Sequence, residues 1–446
     1  MKLLYIIILS AFLFCQSDDA TLTIYKDGTA LIKQPVGWSI PSGLSYITWN
    51  SLPSGIDKET PFLNINGVDI LSQRFNSNIF TGTGFFSDLK GELIQVKPKN
   101  GKLIKGVLLE ISAGFITVKH SSGIITFNRN ELEYLGSKYD EVDLPTFEPF
   151  LSWDLKSKSA KNIEGELVYK SNNFSWATVY RLIMKNEEKG ELIAEAVISN
   201  TSDMGFESSK IQLVEGNLNK LRSKRNTPER SGRSFSALQL DASKLMESEE
   251  LGDYHIYSLN DTHDLGAKEN IMVRMYGPLD VGYSKKYVFE NTERRQKEEP
   301  LEVQLTMENI ESNGLGISLP AGKVEMYSFK PGTGLEYIGA DNMGQVPKGQ
   351  FTTLTSGRAF DVLGNRKVLN YDRQRKSEEA VIEIRVTNGR NEEVDVLLIE
   401  HINGDWVIKD ESLNYQKKDA STIQFPLSLN AGETRSIYYT YRKEWK

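Results

Sequence analysis

Thr21-Leu22-Thr23-Ile24-Tyr25, then Asp27-Gly28, then Ala30-Leu31-Ile32 is the stretch whose reading decides the fold. Two short runs of apolar and β-branched residues flank an Asp-Gly pair. Asp-Gly tolerates the positive backbone angles of a tight type I′ turn, so the stretch reads as a β-hairpin. The same period of two returns along the chain, and few windows show a helical period of 3.6. Residues 237–251 are the best helix candidate. Asn-Gly, the strongest short-range hairpin cue, occurs at Asn66, Asn100, Asn313, Asn388 and Asn403, several of them between alternating runs. The expected class is mainly β, built from antiparallel hairpins rather than βαβ crossovers.

Working outward, four folded regions are expected. Residues 18–77 read as an N-terminal strand layer. Residues 87–137 hold four or five short strands with tight turns, as in a small SH3-like or Sm-like barrel. Such barrels can bind RNA, but a structural insert is the favoured reading here. Residues 145–291 read as a first immunoglobulin-like β-sandwich and 300–446 as a C-terminal one. The charged stretch 293–300 is the expected boundary between the sandwiches. Three strand endings, Ile198-Ser199-Asn200, Met307-Glu308-Asn309 and Val386-Thr387-Asn388, look alike and point to recurring sandwich geometry. The polar loop 217–250 is basic in its first half and acidic in its second, which suits a solvated segment or an arm for an acidic glycan or lipid surface.

The leader sets the compartment. Lys2, the apolar run Leu3 to Phe14, and small residues before Asp18 follow the plan of a secretory signal peptide over residues 1–17. The expected location is outside the cytosol: periplasm, cell surface or secreted. Cys15 is the only cysteine and lies inside this segment. It could instead be a lipidated first residue, although Phe14 is bulkier than a lipoprotein signal wants; a retained anchor is a third reading. Removal of the leader leaves no thiol, hence no disulfide framework or Cys-ligated zinc. Beyond the leader, no run reaches the roughly 18 apolar residues of a membrane span.

Of 446 residues, 39% are hydrophobic, enough for several cores, and the formal charge of −7 argues against a nucleic-acid partner. Motifs for nucleotide chemistry fail. Residues 316–323 resemble a phosphate loop with the spacing one residue too long, and Lys323 is followed by Val324. Gly82-Thr83-Gly84 lacks the third glycine of a dinucleotide fingerprint. No Gly-x-Ser-x-Gly or His-Glu-x-x-His is present. No cofactor and no metal are expected. The polar residues with chemistry to offer are His255, Asp261, His263 and Asp264, with Asp361, which neighbouring Arg358 could pair. A strand over 254–257 with His263 in a turn is expected. Phe174, Trp176 and Tyr180 share one strand face, as do Ile437, Tyr439 and Tyr441. Such a strip is either sandwich core, the favoured reading, or an aromatic platform for sugar rings.

Segments in order over nearly the whole mature length resemble one bacterial family, domain of unknown function 4139, related to mucoidy-inhibitor-A-like proteins. They are the opening hairpin Thr23 to Leu31, Leu52-Pro53-Ser54-Gly55-Ile56-Asp57, and Tyr169 with Phe174-Ser175-Trp176 and Tyr180. Leu319-Pro320-Ala321-Gly322-Lys323-Val324, Tyr337-Ile338-Gly339-Ala340-Asp341, Gly357-Arg358-Ala359-Phe360-Asp361-Val362 and Leu429-Asn430-Ala431-Gly432-Glu433 follow. The resemblance implies the fold and an envelope location, and it transfers no catalytic residue. The expected role is a non-catalytic binding or scaffolding module for an envelope protein or glycan. The alternative is an envelope hydrolase with a shallow carboxylate and histidine site.

Overall fold

A computed structural model describes residues 19–76, 86, 89–137, 149–216, 249–251, 254–330, 332 and 334–445. The leader with Cys15 lies outside them, as does most of 217–250. Of the helix expected over 237–251, only Glu249–Leu251 is described, and it is a strand. The fold is mainly β.

The opening hairpin forms from β1 (Thr21–Tyr25) and β2 (Thr29–Ile40), with Ile24 opposite Ala30. Its loop holds three residues, Lys26, Asp27 and Gly28, and only Gly28 takes a positive φ, of 90°. A type I′ turn needs two such residues, so the loop is of the three-residue kind closed by a left-handed glycine. Asp27 Oδ1 fixes it by accepting from the Thr29 amide at 3.1 Å. Alternate β2 residues Ala30, Ile32, Val36, Trp38 and Ile40 are buried, as the period of two requires.

The next strands are β3 (Gly43–Trp49), β4 (Phe62–Ile65) and β5 (Asp69–Asn76). The expected separate layer over 18–77 does not form, because these strands pair with distant ones. The insert itself supplies β6 (Leu93–Pro98), β7 (Ile104–Ile111), β8 (Phe115–His120), β9 (Gly123–Asn128) and β10 (Leu132–Ser137). These five make their own antiparallel sheet, order β10-β6-β7-β8-β9, around Ile94, Val96, Leu108, Ile116 and Val118.

The chain returns through β11 (Phe150–Ser157), β12 (Lys161–Asn172), β13 (Phe174–Met184), β14 (Lys189–Asn200) and β15 (Phe206–Glu215). Strand β11 inserts between β3 and β5; β12 pairs β2 over twelve residues; β15 lies parallel to β1. With β16 (Glu249–Leu251) and β17 (Tyr254–Leu265) they complete a seven-stranded sheet, order β16-β17-β15-β1-β2-β12-β4. Trp38 sits edge-on to Trp49 at 6.1 Å and tilted against Trp153 at 6.0 Å, a cluster in the shared core.

Strands β18 (Glu269–Gly282), β19 (Ser284–Thr292), β20 (Lys297–Glu308), β21 (Gly322–Lys330), β22 (Gly334–Met343) and β23 (Phe351–Arg373) follow. The chain ends with β24 (Ser377–Asn388), β25 (Val394–His401), β26 (Trp406–Lys409), β27 (Gln416–Lys417), β28 (Thr422–Leu429) and β29 (Thr434–Glu444). A five-stranded sheet has the order β18-β14-β13-β21-β22, and a nine-stranded one β26-β29-β24-β23-β20-β19-β25-β28-β27.

The expected boundary at 293–300 is therefore corrected. Lys297 to Pro300 are strand residues paired with Arg366 to Leu363. Strands β21 and β22 belong to the earlier sheet, while β19 belongs to the later one. Strands β20 and β23 run through both cores. Leu305, Met307 and Leu354 pack in the first, and Leu301, Ala359 and Val362 in the second. Charged residues on a solvent-facing strand resemble a linker in composition, which is why the sequence reading placed a break there.

Glu293 is held by Lys443 Nζ at 2.5 Å and the Asn403 amide at 2.9 Å. Burial pushes its carboxyl up, but these two partners outweigh it and hold it below the usual carboxylate range. A depressed folded pKa contributes stability that is complete above the unfolded value of about 4.3 and is lost as pH falls through the folded one. Thermal unfolding should therefore be flat near neutrality and fall with acid below about pH 4, and Glu293→Gln should shorten that acid limb. An acid limb unchanged in the variant would refute the assignment.

Of the five Asn-Gly pairs, only Asn100-Gly101 joins two strands that pair with each other, β6 and β7. Asn66 and Asn388 sit at corners where the chain changes partners, as does Asn403; Asn313 ends a short 3-10 turn. The three similar strand endings share one device. Asn200, Asn309 and Asn388 are all buried, and each side chain ties the following corner to the sheet. Asn200 Nδ2 donates to the carbonyls of Met204 and Gly266. Asn309 Nδ2 donates to those of Ile317 and Val346. Asn388 Nδ2 donates to those of Glu392 and Asn430, while its Oδ1 accepts from the Arg390 amide. Asn388→Ala strands these buried backbone groups and should cost about 2–3 kcal/mol, read by urea denaturation.

Candidate functional site

An open cleft of about 880 Å³ lies where the first core region meets the nine-stranded sheet. One wall is the β13–β14 turn. Asn186 Oδ1 accepts from the Glu188 and Lys189 amides, which fixes the turn and projects Glu187 and Glu188 outward. Behind it, the buried Tyr283 donates its hydroxyl to the Asn186 carbonyl at 2.5 Å, and burial raises that phenol's pKa. Asn313 braces the end of β18: its Oδ1 accepts from the Gly282 amide at 3.0 Å and its Nδ2 donates to the Gly282 carbonyl at 2.9 Å. A Cβ at Gly282 would lie 2.4 Å from Asn313 Oδ1, so a side chain there would displace the Asn313 brace.

The other wall comes from β19, the end of β20 and the start of β25, with Lys285, Tyr287, Thr306, Glu308, Glu393 and Asp395. Lys285 Nζ spans the cleft to Glu187 Oε2 at 2.7 Å. Arg390, on the β24–β25 corner, pairs with Glu392 and approaches Glu187 at 3.7 Å. Six carboxylates line the cleft against two lysines. No histidine is among the lining residues. Neither Ser284 nor Ser312 is joined to a carboxylate or histidine among the described residues, so the cleft holds no base-activated hydroxyl there. The arrangement can bind and orient charged groups.

The residues singled out from sequence do not assemble. Strand β17 continues from 254 to 265 with an irregularity in its pairing between Ser258 and Thr262, and there is no turn at His263. His255 and His263 stand opposite Glu215 and Ser209, six residues apart on β15, which separates them by about 20 Å at about 3.3 Å per residue. His255 faces Glu215 in register and its Nδ1 is buried without a hydrogen-bond partner. Asp261 is exposed. Asp264 accepts from the Ser208 amide at 2.8 Å and lines a second hollow of about 520 Å³ with Glu207 and Glu269. Among the described residues no group of three His, Cys, Asp or Glu is placed to hold a metal.

Asp361 is exposed on β23 and offers only its backbone carbonyl, to Gly389. Its expected partner Arg358 instead pairs with Glu299 at 2.9 Å and Glu302 at 3.1 Å, across the β20–β23 ladder. The adjacent strand brings Glu302 opposite Arg358 and Glu299 within reach, whereas Asp361 lies three residues along on the other face of its own strand.

Phe174, Trp176 and Tyr180 are core rather than platform, with exposures of 0%, 4% and 0%. Phe174 packs edge-on against Phe206, and Tyr180 donates to the Pro320 carbonyl at 2.8 Å. Trp176 Nε1 donates to the Val214 carbonyl, and Lys26 Nζ stands 4.5 Å over its ring. Lys26 also pairs with buried Glu215 at 2.5 Å, and Gln345 donates to the same carboxylate at 2.7 Å.

Sequence reasoning missed the cleft, although a signal was present. Asn-Glu-Glu occurs twice, at Asn186-Glu187-Glu188 and Asn391-Glu392-Glu393, and the glutamates of both copies line it. No protein-family model matches the chain, and no curated protein matches it. No helix among the described residues is long and apolar enough to cross a membrane.

Proposed function

We propose that this chain is an exported protein of the bacterial envelope that works without catalysis, as a binding or scaffolding module for a protein or glycan. The placement with the domain of unknown function 4139 family is part of the proposal and rests on the residues quoted above. The observation that carries the functional reading is the cleft: open, acidic, built by side chains of two core regions, and without a base-activated nucleophile among the described residues. Strands β20 and β23 pass through both cores and hold its walls together, which suits presentation of a preformed surface.

The test has two arms. The purified full chain should turn over neither a glycan nor a peptide library. Crosslinked envelope extracts should yield one stoichiometric partner with the native chain and lose it with Glu393→Lys. Turnover would replace this reading with the hydrolase, and capture indifferent to Glu393→Lys would remove the cleft from it. Mass spectrometry of the mature protein should find Asp18 at the N-terminus; an intact leader on a cytosolic product would overturn export.

A further inference from the structure

From the cleft geometry we infer that its ligand is a cationic peptide segment, with a lysine or arginine side chain reaching the Tyr287 hydroxyl. The inference rests on the binding-module reading and names the partner's chemistry.

Two independent observations meet here. The first is charge. Of the six lining carboxylates, Glu187 and Glu392 are already paired with Lys285 and Arg390. Glu188, Glu308 and Glu393 have no ion pair among the described residues. The excess of carboxylates over lysines leaves the opening net negative, and a cleft of that sign favours a positive partner. The second is Tyr287. It is 3% exposed, lines the cleft, and its hydroxyl is buried with no hydrogen-bond partner. A buried unpaired hydroxyl calls for an occupant of the space before it. Its ring already attracts cations, with Lys285 Nζ 5.4 Å and Arg390 Cζ 5.9 Å from the centroid. An ammonium or guanidinium supplies the donor the phenol oxygen lacks and the charge the free carboxylates face.

The alternatives fit less well. A lone metal ion needs converging ligands, and no such group exists among the described residues. A glycan wants open aromatic faces, yet Tyr283 and Tyr287 are buried and Phe351 alone among the lining aromatics is exposed. An open volume of about 880 Å³ accommodates a chain segment rather than an ion.

The probe is a fluorescein-labelled peptide of alternating lysine and serine, titrated into the full chain by anisotropy at low and at physiological salt. Binding should weaken about tenfold in Glu188→Gln/Glu393→Gln, and about threefold in Tyr287→Phe, which removes only the hydroxyl. Asp69→Asn/Glu110→Gln removes the same charge from exposed strand residues elsewhere and should leave affinity unchanged. Circular dichroism should show all variants folded. No binding of the probe, or equal loss in the control and cleft variants, overturns the inference, as does an unaltered affinity in Tyr287→Phe. If a glutamate-serine peptide or a glycan binds instead and responds to the cleft variants, the cationic assignment falls while the binding module stands. Cleavage of the probe by the protein sinks the binding-module reading itself.

Discussion

Glu400→Gln should destabilise the C-terminal sandwich by about 3–5 kcal/mol, because it leaves the Arg366 charge buried without its partner. Arg366 is 1% exposed, and Glu400 and Tyr439 are fully buried. The Arg366 guanidinium donates to both Glu400 oxygens, at 2.7 Å from Nη2 and 3.1 Å from Nε, and to the Arg295 carbonyl at 2.6 Å. Tyr439 closes the triad by donating to Glu400 Oε2. Burial works against the arginine charge, but Glu400 and Tyr439 outweigh it and hold its pKa above the usual value. Five steps of the sheet order separate β29 from β25, so this contact forms only because the nine-stranded sheet curls until its arms face each other. Phe425 and Tyr439, with ring centroids 5.5 Å apart, mark the same closure. Hydrogen exchange in β24 and β29 should accelerate in the variant together with a lower unfolding midpoint. Replacing both charges, Arg366→Met with Glu400→Leu, should recover much of the loss, since a well-packed apolar pair avoids the desolvation cost. Wild-type exchange rates in Glu400→Gln would show that the triad does not hold the arms.

Trp176→Ala should cost the first core about 3–5 kcal/mol, through lost burial and the cavity left behind. The ring is wedged between Tyr257, at 6.1 Å, and Lys26, and its indole N–H is spent on Val214. Removing it also takes away the cover over the buried Lys26–Glu215 pair, so the loss should exceed that of Phe206→Ala, which removes a ring buried at the far end of β15. The measurement is the thermal midpoint, with affinity for soluble oligosaccharides as control. A stable variant that has lost sugar binding would restore the platform reading.

Local features carried much of this in the sequence. The alternation in β2 and β13 gives the strands and their inward faces, because a side chain in a strand is directed by its own backbone. The run 87–137 shows its short strands for the same reason: β6 to β9 pair each with the next, close in the chain, and only β10 returns to β6. The like endings at Asn200, Asn309 and Asn388 were visible as a pattern, but their task was not, since the carbonyls they bind lie up to 66 residues away. Reading Arg358 with Asp361 failed because neighbours three apart on a strand point to opposite faces, and the true partners sit on another strand.

The sequence by itself determined that this is a chain of strands, that its aromatic strip points inward, and that a glycine with a positive backbone angle closes its opening hairpin. These follow from sterics and from a repeat of two, which act within a few residues. Tertiary structure alone decided that β15 lies beside β1, that β20 and β23 stitch two cores together, that Arg366 meets Glu400, and that the two Asn-Glu-Glu turns face one cleft. Such pairings join segments up to about two hundred residues apart, and their selection depends on which faces bury together, a condition no local window contains.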